Sequence, residues 1–429
     1  MTDGVGAARK VGLVINEFAN LAGAADFLIS VADAMARTAG DREILLIYSR
    51  PPARWLPSGL CRLARHAAKA VLQRRGPVIL PADPDPSALA QRLVASGLPE
   101  LQLHVAPYGA AALDRVCRTE RIDVLMPLGS APSPSLRVPW VGYIFDMQHR
   151  FYPAFFTSRM RRARDRQFTT VLRQASTVVV NARQVEADAR AFYSPFGATI
   201  FPLPFSAAPD PRWYNRDVRE VRRCYGIGKR YFLISNQFWV HKRHDVAFDA
   251  FAGLAAQHGE VELVCTGATE DFRDPDYFGR LTAAIRNAGL EHRIHILGLI
   301  PKLDQIALMR GCLAVVQPTA FEGGPGGGSV FDAVALGVRS IVSDIPVNRE
   351  IEGLVTAYFP LNDAAALTDA MEAVLAAPPA APADQHVMMA AGTRRRLAMG
   401  EVLWAAADHA MRAAGCDTGS TGSAKPLGG

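Results

Sequence analysis

"FEGGPGGGSVFDAVALG", residues 321–337, puts six consecutive glycines and prolines, Gly323 to Gly328, between two carboxylates, Glu322 and Asp332. A short Val-rich run, "CLAVVQPTA", precedes it, and an apolar run with helical spacing follows. The order is therefore strand, loop, helix. Glycine lets a backbone approach a ligand closely and adopt positive φ. The first amides of a helix lack internal partners and lie at the positive end of its dipole. Such an arrangement favours phosphate, here at the amides of Gly326, Gly327, Gly328 and Ser329. No Gly-Lys-Ser/Thr follows, so this is not a Walker loop. A dinucleotide fingerprint would sit near the first strand of a sheet. Asp332 falls on the first helical turn, where a carboxylate can accept from ribose hydroxyls. Glu322 ends the strand, where it can reach the sugar end of a nucleotide-sugar. A flexible loop with two helix-capping acids is the competing reading.

Around this stretch, β-like runs alternate with helical ones. "KVGLVINEF", "REILLIYS", "RIDVLMPLG", "VPWVGYIF" and "STVVVNA" read as strands of a first half. "FPLPFSAAPDPRW" (201–213) has four prolines and suits a linker. The alternation then restarts with "RYFLISN", "VELVCTG", "RIHILG", "LAVVQPT", "RSIVSD" and "TAYFP", with helices expected over 241–256, 275–289, 302–310, 328–336 and 363–376. Such alternation predicts an α/β fold of two doubly wound parallel sheets facing across a cleft. The expected domains are 1–208 and 209–395. A helix over 396–415 is expected to dock back on the first domain, and a disordered tail over 416–429. Ligands in these folds bind at the C-terminal ends of the strands, so the cleft is the expected site.

With 429 residues, the chain is too long for one ordinary core. No apolar run reaches the roughly 18 residues that span a bilayer, and the N-terminal run meets Asn16 and Glu17 too early for a signal peptide. The six cysteines are scattered without a CxxC pair and read as reduced, which suits a cytoplasmic protein. No carboxylate or histidine cluster has metal spacing, and "DPDP" (83–86) reads as a turn. No metal or other cofactor is expected. The Ala/Arg/Gly-rich composition suggests a GC-rich bacterial genome. The net charge is a mild +6, but basic residues cluster in "CRLARHAAKAVLQRR" (61–75) and "RMRRARDR" (159–166). These are either solvated helix faces or surfaces for anionic lipid or a phosphate-bearing acceptor. No nucleic-acid-binding motif is present.

The span from Asp332 to Ile351, "DAVALGVRSIVSDIPVNREI", resembles the retaining GT-B glycosyltransferases of family 4, also called group 1. The resemblance covers roughly residues 10–375. It implies a GT-B fold and transfer of a sugar from a nucleotide-diphosphate sugar to a glycan, lipid-linked or small-molecule acceptor. Bacterial cell-surface glycan or lipopolysaccharide synthesis, at the inner face of the membrane, is the implied setting. "RYFLISNQFWVHKRHDVAFDAF" resembles the segment whose basic pair neutralises the donor diphosphate, which implies that role for Lys242, with Arg243 beside it. The arginine usual after that strand is replaced by Asn236 and Gln237. Gly298 and Leu299 would face the base. Gly23 lies in text similar to the family's first glycine loop. "WVGYIFDMQHRFYPAFF" resembles the acceptor-side segment, with Asp146 and His149 as candidates. Two departures stand out. Nine residues separate Glu322 from Asp332, more than is usual in the family, and the second acid is Asp where Glu is usual. The wider gap leaves two alternatives open, a nucleotide-sugar binding protein with a decayed site and a nucleotide-sugar epimerase.

Overall fold

The computed structural model describes residues 8–15, 24–50, 98, 101–107, 109–379 and 381–417. Two parallel sheets organise them. The first comprises β1 (Lys10–Val14), β2 (Glu43–Arg50), β3 (Gln102–Pro107), β4 (Val124–Leu128), β5 (Trp140–Ile144), β6 (Thr177–Val180) and β7 (Thr199–Pro202). Its order is β3-β2-β1-β4-β5-β6-β7. The second comprises β8 (Tyr231–Ser235), β9 (Glu262–Thr266), β10 (Ile294–Ile296), β11 (Val315–Gln317), β12 (Ser340–Ser343) and β13 (Ala357–Phe359), in the order β10-β9-β8-β11-β12-β13. Each order reverses once, between β1 and β4 and between β8 and β11. That reversal is the doubly wound pattern and opens a crevice at the strand ends.

The strand sequences follow from this layering. β4, β6, β8, β11 and β12 are buried along their whole length. Helices cover both faces of a parallel sheet, so its inner strands read as continuous apolar runs. β3 and β7 depart from that pattern and from the expected strands. β3 carries His104 between its apolar residues, and β7 takes Phe201 and Pro202 from the stretch expected to be linker. β7 pairs only with β6, so the N–H that Pro202 lacks leaves no gap in a ladder.

The last helix runs Gln385–Asp417, starting earlier than the sequence suggests. Its first part packs on the second domain and the linker: Gly392 lies against Ala208 and Pro209, and the Arg395 guanidinium donates to Ala207 O at 3.2 Å. Its second part belongs to the first domain. Leu403, Trp404, Ala407 and Ala410 are buried in one cluster with Val11, Leu13, Val31 and Met35. Trp404 Nε1 donates to Met35 O at 3.1 Å, and Ala8 N donates to Asp408 Oδ1 at 2.8 Å. The residues 61–75, 83–86 and 418–429 lie outside the described residues. Among the described residues, no helix is long and apolar enough to cross a membrane.

Gly400 marks the tightest point of this docking, since a Cβ there would stand 2.2 Å from Ala34 O. In an open helix, Gly→Ala gains about 1 kcal/mol. Here overpacking opposes that gain, and Gly400→Ala is expected to lower stability by on the order of 1–3 kcal/mol. Urea unfolding of the variant checks the sign; increased stability would mean that the helix seats more loosely.

Candidate active site

The second sheet presents its polar residues at the C-terminal ends of β8 and β11, on either side of its reversal. Asn236 follows β8, and Gln317 ends β11; both are buried. Asn236 Nδ2 donates to Gln317 Oε1, which also accepts from Ser329 Oγ at 3.3 Å. Two donors on Oε1 fix the orientation of the Gln317 amide, and its Nε2 donates to Glu322 Oε1 at 2.8 Å. The same Glu322 oxygen accepts from Lys242 Nζ. Side-chain exposure is only 8% for Lys242 and 10% for Glu322. Ions buried this deeply are tolerated when paired and further hydrogen-bonded, and Gln317 supplies that second bond.

Backbone bonds hold the two partners in register. Lys242 lies in a short 3-10 turn, Val240–Lys242. Val240 N donates to the buried Asp271 carboxylate at 2.9 Å, and Ala320 N donates to His241 O at 2.8 Å. The glycines then bring the loop round. Gly326 and Gly327 have φ of 67° and 60°, in the left-handed region open mainly to glycine. A Cβ on Gly327 would lie 2.8 Å from the Glu322 carboxyl carbon. The helix Gly327–Leu336 therefore starts directly against that carboxylate. Gly328 stands exposed at its first turn, whereas the Ser329 hydroxyl turns inward to Gln317. Two of the four expected phosphate amides are already engaged: Gly326 N donates to Asn348 Oδ1 at 2.8 Å and Gly327 N to Gly324 O at 3.3 Å.

The other expected donor-side residues are placed as follows. Asp332 is buried and paired with Lys302 Nζ. Burial pushes its carboxyl pKa up, and Lys302 pulls it back down. Arg243 pairs with Asp245, two residues along, at 3.0 Å. Gly298 has φ of 66° and accepts from Gly267 N at 2.8 Å, and Leu299 beside it is strongly exposed. Gly23 lies outside the described residues.

The first domain supplies the facing wall. Asp146 follows β5, and a Cβ on Gly323 would lie 3.0 Å from its Cβ, so the glycine loop rests on this residue. Arg164 Nη2 donates to Asp146 Oδ1 at 2.7 Å and to its carbonyl at 3.2 Å. Phe321 packs on Phe151 and Tyr152, and Tyr152 OH donates to Ala320 O at 3.1 Å. His149 corrects the expectation that it lines the acceptor side. It is 1% exposed, with Nε2 at 2.8 Å from Asp165 Oδ1 and 3.1 Å from Tyr193 OH. The one-turn helix Gln148–Phe151 points it into the domain interior, against Phe156 and Phe168. Gln317, Asn348, Lys302 and Arg164 were not singled out in the sequence. Only Gln317 carries a signal there, as a polar residue closing the apolar run "LAVV".

With this geometry in place, similarity to known proteins can be stated. Residues 218–394 match the family described as Glycosyl transferases group 1. The matched stretch spans the second domain and the start of the last helix. No curated protein matches the sequence. Among solved structures, HepE from Anabaena, in complex with UDP and glucose, matches at 16% identity and a TM-score of 0.57, covering 96% of this chain and 100% of that one. Sucrose-phosphate synthase from Thermosynechococcus elongatus matches at 13% identity and 0.54, covering 96% and 97%. WaaG, described as a glycosyltransferase involved in lipopolysaccharide biosynthesis, matches at 14% identity and 0.51, covering 96% and 100%. At these identities the likeness is one of fold, and the fold is GT-B. The second domain thus places its ion pair and glycine loop on the cleft side of a two-domain GT-B fold.

Two predictions follow from the placement of charged groups. Burial lowers the His244 pKa from 6.5 to about 3 and the His241 pKa to about 2, and Lys242 between them adds to both shifts. Burial also lowers the His149 pKa, against the pull of Asp165. The unfolded chain takes up these protons below about pH 6.5, but the folded chain does not. Stability is therefore complete above that pH and falls as pH drops, by up to about 1.4 kcal/mol per pH unit for each histidine. Urea unfolding at neutral and mildly acidic pH measures the slope, which His244→Phe is expected to reduce. Separately, Arg164→Ala removes the ion pair of Asp146 and leaves its Oδ1 with the Gln148 N–H alone, at 2.9 Å. Transfer activity is expected to fall at least tenfold, with donor affinity unchanged and partial recovery in Arg164→Lys.

Proposed function

We propose that this protein is a retaining glycosyltransferase of family 4 that moves a sugar from a nucleotide-diphosphate sugar to an acceptor. The observation that carries the reading is the buried Lys242–Glu322 pair set against the start of the helix Gly327–Leu336. It joins a cation and oriented amides, which suit a diphosphate, to a carboxylate that suits sugar hydroxyls.

In this reading the bond between the anomeric carbon and the phosphate oxygen breaks, and its electron pair leaves with the diphosphate. Lys242, the amides at Gly328 and Ser329, and the helix dipole stabilise the charge that develops there. Glu322 holds sugar hydroxyls, and its charge favours the cationic sugar. The acceptor oxygen bonds to the anomeric carbon on the face the diphosphate leaves, and its proton passes to a phosphate oxygen. Configuration is thereby retained. Asp146 lines the acceptor side, held by Arg164, and Asp332 with Lys302 flanks the ribose. Closure of the cleft limits hydrolysis by water. Metal independence belongs to the proposal, and undiminished turnover in EDTA tests it. The setting proposed is cytoplasmic, in bacterial cell-surface glycan or lipopolysaccharide synthesis.

Thermal unfolding with a panel of nucleotide-diphosphate sugars tests the donor site. A ligand at ~100 times its Kd adds about 2.7 kcal/mol. One sugar nucleotide is expected to stabilise the protein. Lys242→Ala should lose most of that shift relative to its own unliganded midpoint, and Glu322→Gln should lose transfer. No shift with any sugar nucleotide, in a folded protein, overturns the reading. Isomerised sugar nucleotide without acceptor would assign an epimerase instead.

A further inference from the structure

The helix Ser158–Gln174 covers the first domain beside the acceptor wall. It buries Phe168, Val171 and Leu172. Opposite them stand Arg159, Arg162, Arg166 and Arg173, all exposed. At 100° per residue these four fall within about 60° of arc, and at 1.5 Å per residue they extend over roughly 21 Å. Among the described residues, none of the four has a carboxylate partner. The one acid of the helix, Asp165, is turned aside to His149, Arg150 and Tyr193. Arg161 and Arg164 are engaged with Pro153 O and Asp146 respectively. The four remaining arginines thus form an uncompensated line along one exposed face of the helix.

We propose that this line is a docking surface for an anionic lipid bilayer, from which the acceptor is drawn. The proposal rests on the transferase reading for the word acceptor, but not for the surface. Three features favour a bilayer over a discrete ligand. The charges are spread over roughly 21 Å, too far to converge on one phosphate group. Their straight arrangement fits a plane of headgroups, where each basic residue adds affinity. Exposed apolar groups also lie near. Met160 borders the arginines at 39% exposure, and Phe151 and Phe192 form an edge-to-face pair, 46% and 38% exposed, with Arg150 over Phe192. Phe151 touches Phe321, next to Glu322, so this apolar pair marks the mouth of the cleft. An interfacial surface combines these properties, with charge for the headgroups and rings for the acyl boundary.

The test is flotation of the full chain with phosphatidylcholine vesicles, with and without phosphatidylglycerol. Wild type is expected to float with the anionic vesicles only and to be released by salt. The triple variant Arg159→Glu/Arg162→Glu/Arg166→Glu is expected to lose binding by at least 100-fold, since each arginine near the surface is worth about fivefold. The charge-matched control Arg219→Glu/Arg223→Glu/Arg286→Glu, on the second domain, should still bind. Wild type that ignores anionic vesicles, or a triple variant that binds like the control, overturns the proposal. Binding to soluble polyanionic glycan but not to vesicles also overturns it, and reassigns the line to a carbohydrate. Sugar-nucleotide stabilisation, measured on the same variants, reports folding and separates failure of this surface from failure of the donor site.

Discussion

A lysine and a glutamate, both nearly dry, face each other at the C-terminal end of the second sheet. Removing two ions from water costs several kcal/mol each, and their attraction offsets that cost only with further hydrogen bonds. This requirement accounts for much of the surrounding structure. Gln317 must present its N–H side to Glu322, so its oxygen must be held by Asn236 and Ser329. The Lys242 turn must stay in place, so Asp271 and Ala320 fasten its backbone. The following helix must begin against the carboxylate, where no side chain fits, and the chain uses glycine at positions 326 and 327. Nine residues between the two acids give the room for that path.

The pair also sits at a junction between domains. Glu322 is flanked by Phe321 and Gly323, and both contact the first domain, at Phe151 and Tyr152 and at Asp146. A second seam lies further along. Glu350 accepts from the first amides of the helix Arg183–Tyr193, at 3.1 Å from Arg183 N and 2.8 Å from Gln184 N. One domain therefore caps a helix of the other, satisfying donors that a helix start otherwise leaves open. Ile345 and Val347 join the buried cluster of Val178, Val180 and Val185 across the same seam. The two walls of the cleft are thus coupled through shared packing.

The doubly wound architecture was legible because buried parallel strands leave continuous apolar runs. Most strands of the second sheet announce themselves in this way, although β10 is interrupted by His295. β3 and β7, interrupted by His104 and Pro202, do not. The glycine loop was legible because positive φ selects a residue type. Pairings between distant positions leave no local trace, and so Lys302 with Asp332, Arg164 with Asp146 and Asn348 with Gly326 emerged only in three dimensions. His149 shows the converse. Its neighbours in sequence suggested the cleft, yet a one-turn helix has no periodicity from which its inward face could be read.

The last helix has a mechanical consequence. Gly392 bears on the linker at Ala208 and Pro209, and Gly400 bears on the first domain at Ala34. Eight residues of α-helix, about 12 Å of stiff rod, join these two bearings. A rod seated at both points holds the linker at a set distance from the first domain. Trp404, bonded to Met35 O, also fixes the rod's rotation about its own axis. The linker is thereby splinted and does not act as a free tether between the two sheets.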